Sequence, residues 1–205
     1  MVMTGMAALC LILGIMAAMG GTWLVPEEEM DDADTGMGLT SVWSEMDLSS
    51  MGAESEDDCE AMVEMMEDDD EAIGELECDG TTMKMTAAFS DICDDTDEDE
   101  ACDMATGGMI GTIGMWAGIV CALLVTLTLV LPMAGVDAMD AMPDMGKMIT
   151  SWGAGALMLV GILGWWMMLP DDGESVMGMS SMMAIGAALL GLAAAAMDQF
   201  MDADE

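Results

Sequence analysis

The sequence predicts an all-α membrane protein, with a four-helix transmembrane bundle and a small, disulfide-stabilised, mostly helical acidic extracytoplasmic domain. Three observations predict this class. The 205 residues are 54% hydrophobic, yet their formal net charge is -38. Apolar and acidic residues occupy separate blocks, because 30 of the 40 acidic residues lie between Glu27 and Asp103 and the four longest apolar runs contain none. The acidic block also carries four of the six cysteines.

These blocks predict eight segments in chain order. They are 1–25, transmembrane helix 1; 26–106, the acidic extracytoplasmic domain; 107–132, transmembrane helix 2; 133–148, a cytoplasmic connection; 149–169, transmembrane helix 3; 170–176, an outer turn; 177–197, transmembrane helix 4; and 198–205, an acidic tail. Each apolar run approaches or exceeds the roughly 20 residues that span a bilayer.

The first apolar run, residues 3–25, predicts a membrane-spanning helix. Trp23 lies at its outer edge, where interfacial tryptophan is common. A cleaved signal peptide is the alternative, because residues 17–21 offer small side chains for cleavage. The missing positive region at the start and the length of the run favour the membrane helix.

The acidic block is predicted to begin with one strand and to continue as helix. Residues 38–43 favour a short strand, with Leu39, Ser41 and Trp43 on one face. Glu54 to Leu76 favours a helix, because apolar residues recur there every three or four positions. This stripe consists of Cys59, Met62, Val63, Met66, Ile73 and Leu76.

The end of the acidic block predicts a turn and a second, shorter helix. Asp79-Gly80 marks the turn. Met85, Phe89 and Ile92 follow at helical spacing. Because a domain this small buries little apolar area, we expect it to need covalent links.

Four cysteines are the candidates for these links: Cys59, Cys78, Cys93 and Cys102. They allow three pairings. A helical hairpin that turns near Gly80 favours the nested one, Cys59–Cys102 with Cys78–Cys93. Disulfides indicate an oxidising compartment. Cys10 and Cys121 lie in apolar runs and are predicted to be buried hydrophobic residues.

The second span contains two pairs of small residues four positions apart, Gly107/Gly111 and Gly114/Gly118. Such pairs let helix backbones approach closely. The pattern predicts a helix-packing face, although glycine is also simply frequent in membrane helices.

The two lysines set the predicted topology. The positive-inside rule counts basic residues in short loops, so Lys147 places residues 133–148 on the cytoplasmic side. Four spans then put both termini in the cytoplasm of a multi-pass cell-membrane protein. Residues 26–106 face outside, which agrees with the disulfide prediction.

Composition excludes several functions. Lys84 and Lys147 are the only basic residues, so nucleic-acid binding, which needs clustered Lys or Arg, is excluded. The absence of histidine excludes Ser-His-Asp and Cys-His catalysis. We therefore expect no enzyme, no catalytic residue and no cofactor. The acid excess also predicts adaptation to high salt, where counter-ions screen repulsion; equal stability at low and high salt would contradict that prediction.

The arrangement of spans and loops resembles the claudin and peripheral-myelin-protein-22 group of four-transmembrane, or tetraspan, proteins. The residues that carry the resemblance are Trp23, Gly38-Leu39, Trp43, Cys59 and Cys78. They correspond to the Trp, the Gly-Leu-Trp element and the cysteine pair of that group's first outer loop. The separation of Gly38-Leu39 from Trp43 and the two extra cysteines are differences. The resemblance implies a left-handed four-helix bundle and an adhesion, barrier or scaffold role.

Metal binding supplies the alternative function. Met139, Met142, Met145 and Met148 recur every three residues, and thioethers bind Cu(I). Methionine is frequent throughout, however, with 31 residues, so such pairs arise by chance. The stretch 95–99 begins like a calcium-binding EF-hand loop but lacks the required glycine and the closing glutamate. It predicts loosely bound cations and no defined metal site.

We therefore expect a structural or interaction protein: an accessory subunit, a scaffold or an adhesion-type tetraspan. Its expected partners are the lipid bilayer and either another membrane protein or further copies of the chain. A cation- or copper-handling membrane protein or an oligomeric pore is the alternative. Proton-coupled transport is not expected, because no ionisable Asp, Glu, Lys or Arg lies within a predicted span.

Overall fold

The computed structural model describes residues 2–26, 33–67, 74–96, 98–135, 143–169 and 175–202. The chain forms two compact units. The helical unit comprises Met1–Gly20, Met109–Met167 and Met179–Glu205, and the sheet unit comprises Gly21–Gly108 and Met168–Gly178.

The described chain contains six α-helices and six strands. They are α1 (Val2–Met19), β1 (Leu24–Pro26), β2 (Ala33–Met37), β3 (Ser41–Asp47), α2 (Glu56–Glu67), β4 (Glu75–Asp79), β5 (Thr82–Ala88), α3 (Phe89–Thr96), α4 (Asp99–Val130), α5 (Asp144–Trp166), β6 (Ser175–Met177) and α6 (Met179–Asp202). Short 3₁₀ helices lie at Leu48–Met51 and Pro132–Ala134.

Helices α1, α4, α5 and α6 are each long and apolar enough to cross a membrane. Their continuous uncharged runs explain why sequence predicted them. Helix α4 begins at Asp99, earlier than the predicted second span, and ends just before Pro132. Proline stops the helix there because its nitrogen has no hydrogen to donate.

Glycine permits close packing between α5 and α6. A Cβ atom added to Gly155 would lie 2.5 Å from the carbonyl oxygen of Ala188 and from the amide nitrogen of Leu192. On α6, a Cβ at Gly191 would lie 2.8 Å from the Gly155 nitrogen and 3.2 Å from the Cys10 sulfur of α1. Backbone therefore meets backbone here, as small residues allow in membrane helix pairs.

The sheet unit contains a six-stranded antiparallel sheet with the order β4-β5-β3-β2-β1-β6. Its last strand comes from a distant part of the chain. Strand β6 pairs with β1 in the register Leu24↔Met177 and Pro26↔Ser175. The predicted outer turn at 170–176 therefore ends in sheet, whereas its Pro170-Asp171-Asp172-Gly173 turn lies outside the described residues.

The prediction of a mostly helical acidic domain is wrong. Within the described residues, the predicted helix from Glu54 to Leu76 is present as α2 alone, and Leu76 lies in β4. Gly74, just before β4, has φ +116°, which an α-helix does not allow. Apolar Leu76 and Cys78 alternate with acidic residues at the strand period of two. The sequence prediction places Leu76 in the helical stripe that begins at Cys59, because its distance along the chain from the other apolar residues also fits a helix.

The second predicted helix is divided in the same way. Met85 lies in strand β5, and the helix begins only at Phe89. Of the strand predicted at 38–43, residues 41–43 begin β3, whereas Leu39 lies before the strand. The turn at Asp79-Gly80 connects β4 to β5. Gly80 has φ +64°, a conformation that tight hairpin turns require and glycine adopts readily.

The core of the sheet unit lies between α2 and one face of the sheet. It consists of Leu48, Ala53, Cys59, Val63 and Met83, with Met46, Met62, Leu76 and Cys78 packed against it. The apolar stripe of α2 therefore does what amphipathic helices usually do, which is to cover a sheet face. Of the rest of the predicted stripe, Met66 is exposed and Ile73 lies outside the described residues.

Trp23, which was expected to lie exposed at the outer edge of the first span, is fully buried in the sheet unit, with 0% exposure. Its backbone N–H donates to the Met37 carbonyl (2.7 Å), and its carbonyl accepts from the Gly178 N–H (2.9 Å). The end of α1 at Met19 explains the difference, because the residues after it enter the sheet instead of continuing the span.

Candidate functional site

Two disulfides fasten helices in the sheet unit. Cys59–Cys78 joins α2 to β4 with a Cα–Cα distance of 6.1 Å, and Cys93–Cys102 joins α3 to the start of α4 with a distance of 4.8 Å. The nested pairing, Cys59–Cys102 with Cys78–Cys93, is therefore wrong. It assumed a hairpin of two helices at Gly80, whereas a β-hairpin turns there and α2 packs on β4. Cys10 and Cys121 are not disulfide-bonded.

The sheet presents a second face, opposite the core, that carries most of its charge. Strand register places its side chains in cross-strand rows. One row is Asp34, Glu45, Lys84 and Glu77, and the next is Gly36, Trp43, Thr86 and Glu75. A third row contains Asp47, Thr82 and Asp79. We call these eleven residues the polar face.

Lys84 is the single basic side chain on the polar face. Its Nζ atom donates to Glu45 Oε1 at 2.8 Å, and the two side chains are 46% and 37% exposed. The hydrogen bond and charge of Glu45 raise the pKa of the Lys84 ammonium above its ordinary value, with a smaller contribution from Glu77. An exposed pair of this kind contributes little stability. It places one positive charge among the six carboxylates of the polar face.

Trp43 provides the aromatic surface of the polar face. Its ring lies close over Gly36, where an added Cβ would come within 2.7 Å of the ring. Its indole N–H donates to the Gly21 carbonyl at 2.8 Å, which fixes the ring edge. Lys84 Nζ lies 5.7 Å from the ring centroid, within cation–π range. The ring is therefore held in place as a platform beside the carboxylates.

A cleft of about 640 Å³ extends from the polar face to α3. Its floor contains Ser41, Thr86 and Ala88 of the sheet. Its acidic lining residues are Glu75, Asp91, Asp94 and Asp95, and Gly74 completes it. No Lys or Arg is among the lining residues, so the electrostatic potential of the cleft attracts cations.

Two carboxylates, Asp47 of the polar face and Asp58 of α2, stabilise local structure. Asp47 caps the 3₁₀ helix: its carboxylate accepts from the Ser49 N–H (2.9 Å) and from the Thr81 hydroxyl (3.2 Å). These hydrogen bonds, the Ser49 one first, lower the pKa of Asp47. At the start of α2, hydrogen bonds from the Ser55 hydroxyl and the Glu54 N–H lower the pKa of Asp58.

The described carboxylates and cysteines form no group of three that could hold a metal ion. Within the calcium-like stretch, Asp95 lies in α3 and Asp99 begins α4, while Asp97 lies outside the described residues. Of the methionine series, Met145 and Met148 are exposed on α5, and Met139 and Met142 lie outside the described residues.

The predicted helix-packing glycines lie along α4. A Cβ at Gly114 would lie 2.5 Å from Gly161 Cα of α5, and one at Gly118 would overlap the Met158 side chain. Gly111 contributes its carbonyl oxygen to the same seam, 3.1 Å from a Cβ placed at Gly161. Gly107 is buried within the sheet unit's part of α4. Gly111, Gly114 and Gly118 thus pack against a helix of the same chain.

The helical unit has its own concave sites near Lys147. Cavities of about 350 Å³ and 210 Å³ share Lys147, Ser151 and Asp198 among their lining residues. They combine one basic and one acidic group with hydroxyls. Thr150 and Thr128, which line the smaller cavity, donate their hydroxyls to carbonyls of their own helices.

Comparison with known proteins assigns no family: no family model matches the chain, and no curated protein is significantly similar to it. We therefore infer function from the geometry above. Sequence reasoning found the cysteines and Trp43 but missed the polar face. The alternation of Glu75, Glu77 and Asp79 was the available signal, but only strand pairing places them beside Lys84 and Glu45.

Proposed function

We propose that this protein is a multi-pass membrane protein with a structural or interaction role, as an accessory subunit, scaffold or adhesion-type tetraspan. In this proposal the helical unit is embedded in the lipid bilayer, and the sheet unit, outside the membrane, binds other molecules. The acidic surface of the sheet unit is where such molecules would bind.

The observation that carries the proposal is the outward surface of the four long helices. Large apolar side chains are exposed along it: Leu9, Ile12, Met16, Ile113, Val120, Leu123, Val160, Leu163 and Leu189. Soluble monomers rarely expose contiguous apolar surface of this extent. Lipid tails would cover these side chains without cost, whereas the interior small residues would keep the helices together.

Two further features support the proposed orientation. Both disulfides lie in the sheet unit, and disulfides persist in oxidising compartments outside the cytoplasm. Lys147 lies in the first turn of α5, where the positive-inside rule places it in the cytoplasm. Both termini would then be cytoplasmic as well.

The claudin-like resemblance supports the same role. The bond between Cys59 and Cys78 joins the two cysteines that correspond to that group's pair, and Trp43 lies on a strand of the sheet. On this basis we propose a tetraspan of that general kind. We do not propose that the α4 glycines bind a partner helix, because Gly111, Gly114 and Gly118 contact α5 of the same chain.

Selective amine labelling tests the orientation, because the chain has only two lysines. A membrane-impermeant amine reagent applied to intact cells should modify Lys84 and leave Lys147 and the N-terminal amine unmodified. After permeabilisation, Lys147 should react as well. The control variant Lys84→Arg should lose labelling on intact cells. Modification of Lys147 before permeabilisation, or extraction of the protein by alkaline carbonate, would contradict the proposal.

The native complex tests the role. After gentle detergent extraction, we expect a discrete assembly that contains either other polypeptides or several copies of this chain. A lone chain that retains stoichiometric copper or calcium through dialysis would instead favour the cation-handling alternative.

A further inference from the structure

We propose that the polar face and its edge strand β4 bind an extended segment of another polypeptide that carries several Lys or Arg side chains. This inference rests on the proposed function and deepens it, because it names the surface and the chemistry of the partner. Four observations carry it: charge, exposure, strand geometry and the Trp43 ring.

The charge of the polar face cannot be neutralised by basic side chains of its own chain. Six carboxylates surround Lys84 on the face, and the cleft adds three more from α3. Lys84 is already paired with Glu45. The sequence contains only one other basic side chain, Lys147, and two lysines cannot neutralise nine carboxylates. Positive charge for this surface must therefore come from outside the chain.

The acidic side chains are accessible. Glu75, Glu77 and Asp79 are all exposed on β4, while the intervening Leu76 and Cys78 point to the core face. Helix α2 covers the core face, and the Cys59–Cys78 bond attaches it to β4. Within the described parts of the chain, no helix buries these three carboxylates.

The geometry of β4 fits an extended partner. The strand order places β4 at one edge of the sheet, paired with β5 on one side, and no other described strand pairs with it. An edge strand offers backbone groups to an added strand. Alternate side chains of a strand lie roughly 6.5–7 Å apart, so lysines at alternate positions of a partner strand would match the spacing of Glu75, Glu77 and Asp79.

Trp43 and the spread of the carboxylates favour a polypeptide over a metal ion. The Trp43 ring lies 5.7 Å from the Lys84 ammonium and gives the polar face an aromatic surface of the kind that attracts Lys and Arg side chains. The described carboxylates do not come together as a metal-binding group. Charges distributed over several strands match a partner whose own charges are distributed.

The test measures peptide binding to the full chain in nanodiscs of zwitterionic lipid, by fluorescence anisotropy. The probe is a labelled Thr-Lys-Thr-Lys-Thr-Lys-Thr peptide, and a peptide with Gln in place of Lys is the neutral control. The face variant is Glu75→Gln/Glu77→Gln/Asp79→Asn. The matched variant Asp57→Asn/Glu60→Gln/Glu64→Gln removes the same charge from exposed residues of α2.

We expect the lysine peptide to bind, the neutral peptide to bind much more weakly, and the face variant to weaken binding about tenfold, as three exposed ion pairs imply. The α2 variant should change affinity less than threefold. Equal losses of peptide affinity in both variants would show that only the net charge of the protein matters, and would overturn the proposal. So would undiminished binding to the face variant, or displacement of the peptide by stoichiometric Ca²⁺ or spermine.

A failure here is distinguishable from a failure of the proposed function. If the parent protein does not bind the lysine peptide but Lys84 still labels on intact cells, the membrane role stands and the docking surface is wrong. Circular dichroism and intact disulfides in both variants would establish that they fold.

Discussion

The helical unit and the sheet unit hold their elements together by opposite means. In the helical unit, backbones approach through glycine, as at Gly155 and Gly191, and the apolar runs of the four long helices carry almost no charge. In the sheet unit, strand pairing and two covalent bonds connect segments that carry a dense negative charge. The helical unit therefore depends on close packing, whereas the sheet unit depends on strand pairing and disulfides that hold negatively charged segments together against their repulsion.

The largest expected effect comes from removing the bond between α2 and β4. Cys59→Ser/Cys78→Ser should destabilise the sheet unit by about 2–4 kcal/mol, because the bond restricts the unfolded chain and fixes the core helix. Helical-unit protection should not change. Hydrogen exchange with mass spectrometry, read separately for each unit, measures both.

The matched control for that experiment is Cys10→Ala/Cys121→Ala, because neither cysteine is disulfide-bonded. Its sheet unit should respond to reductant as the parent does. Equal loss of protection in both units of the Cys59→Ser/Cys78→Ser variant would show that they are not held independently.

A smaller effect, in the other unit, should follow from a larger residue at Gly114. Gly114→Leu forces a side chain into the backbone of Gly161 and should cost about 1–3 kcal/mol of helical-unit stability. The control is Gly5→Leu, where an added Cβ meets nothing within 4 Å. Thermal unfolding followed by far-UV circular dichroism distinguishes them; similar curves for both variants would mean that the α4–α5 seam is not tightly packed.

The smallest expected effect concerns pH and the cap at Asp47. Hydrogen bonds lower its folded pKa below the ordinary value of 3.8, so its contribution is present above that value and is lost as pH falls through the folded pKa. The stability difference between the parent and Asp47→Asn should therefore narrow below about pH 4. Urea unfolding of the sheet unit at several pH values measures this difference.

Glu64→Gln supplies the comparison for the pH experiment, since it removes one exposed carboxylate from α2. General repulsion among carboxylates weakens on acidification in all three proteins, which by itself favours folding at low pH. A constant difference between the parent and Asp47→Asn across the range would contradict the role of the cap.

Sequence could predict the long helices but not the sheet, for a physical reason. An uncharged run such as that of α6 fixes its own backbone hydrogen bonds locally, so composition was enough. Leu76 obtains its neighbours from β5, and Leu24 obtains one from β6, far along the chain. Cross-strand pairing also decided the disulfides, because Cys78 lies on a strand and not on a helix.

The pairing of β6 with β1 has a consequence for biosynthesis. Leu24 and its partner Met177 are separated by about 150 residues. At roughly 5–20 residues per second, the ribosome needs on the order of 8–30 s to deliver β6 after β1. During that interval the edge of β1 that later pairs with β6 has no partner strand. Pro26 has no backbone N–H, so a strand of another molecule that paired with β1 before β6 is synthesised would form one hydrogen bond fewer.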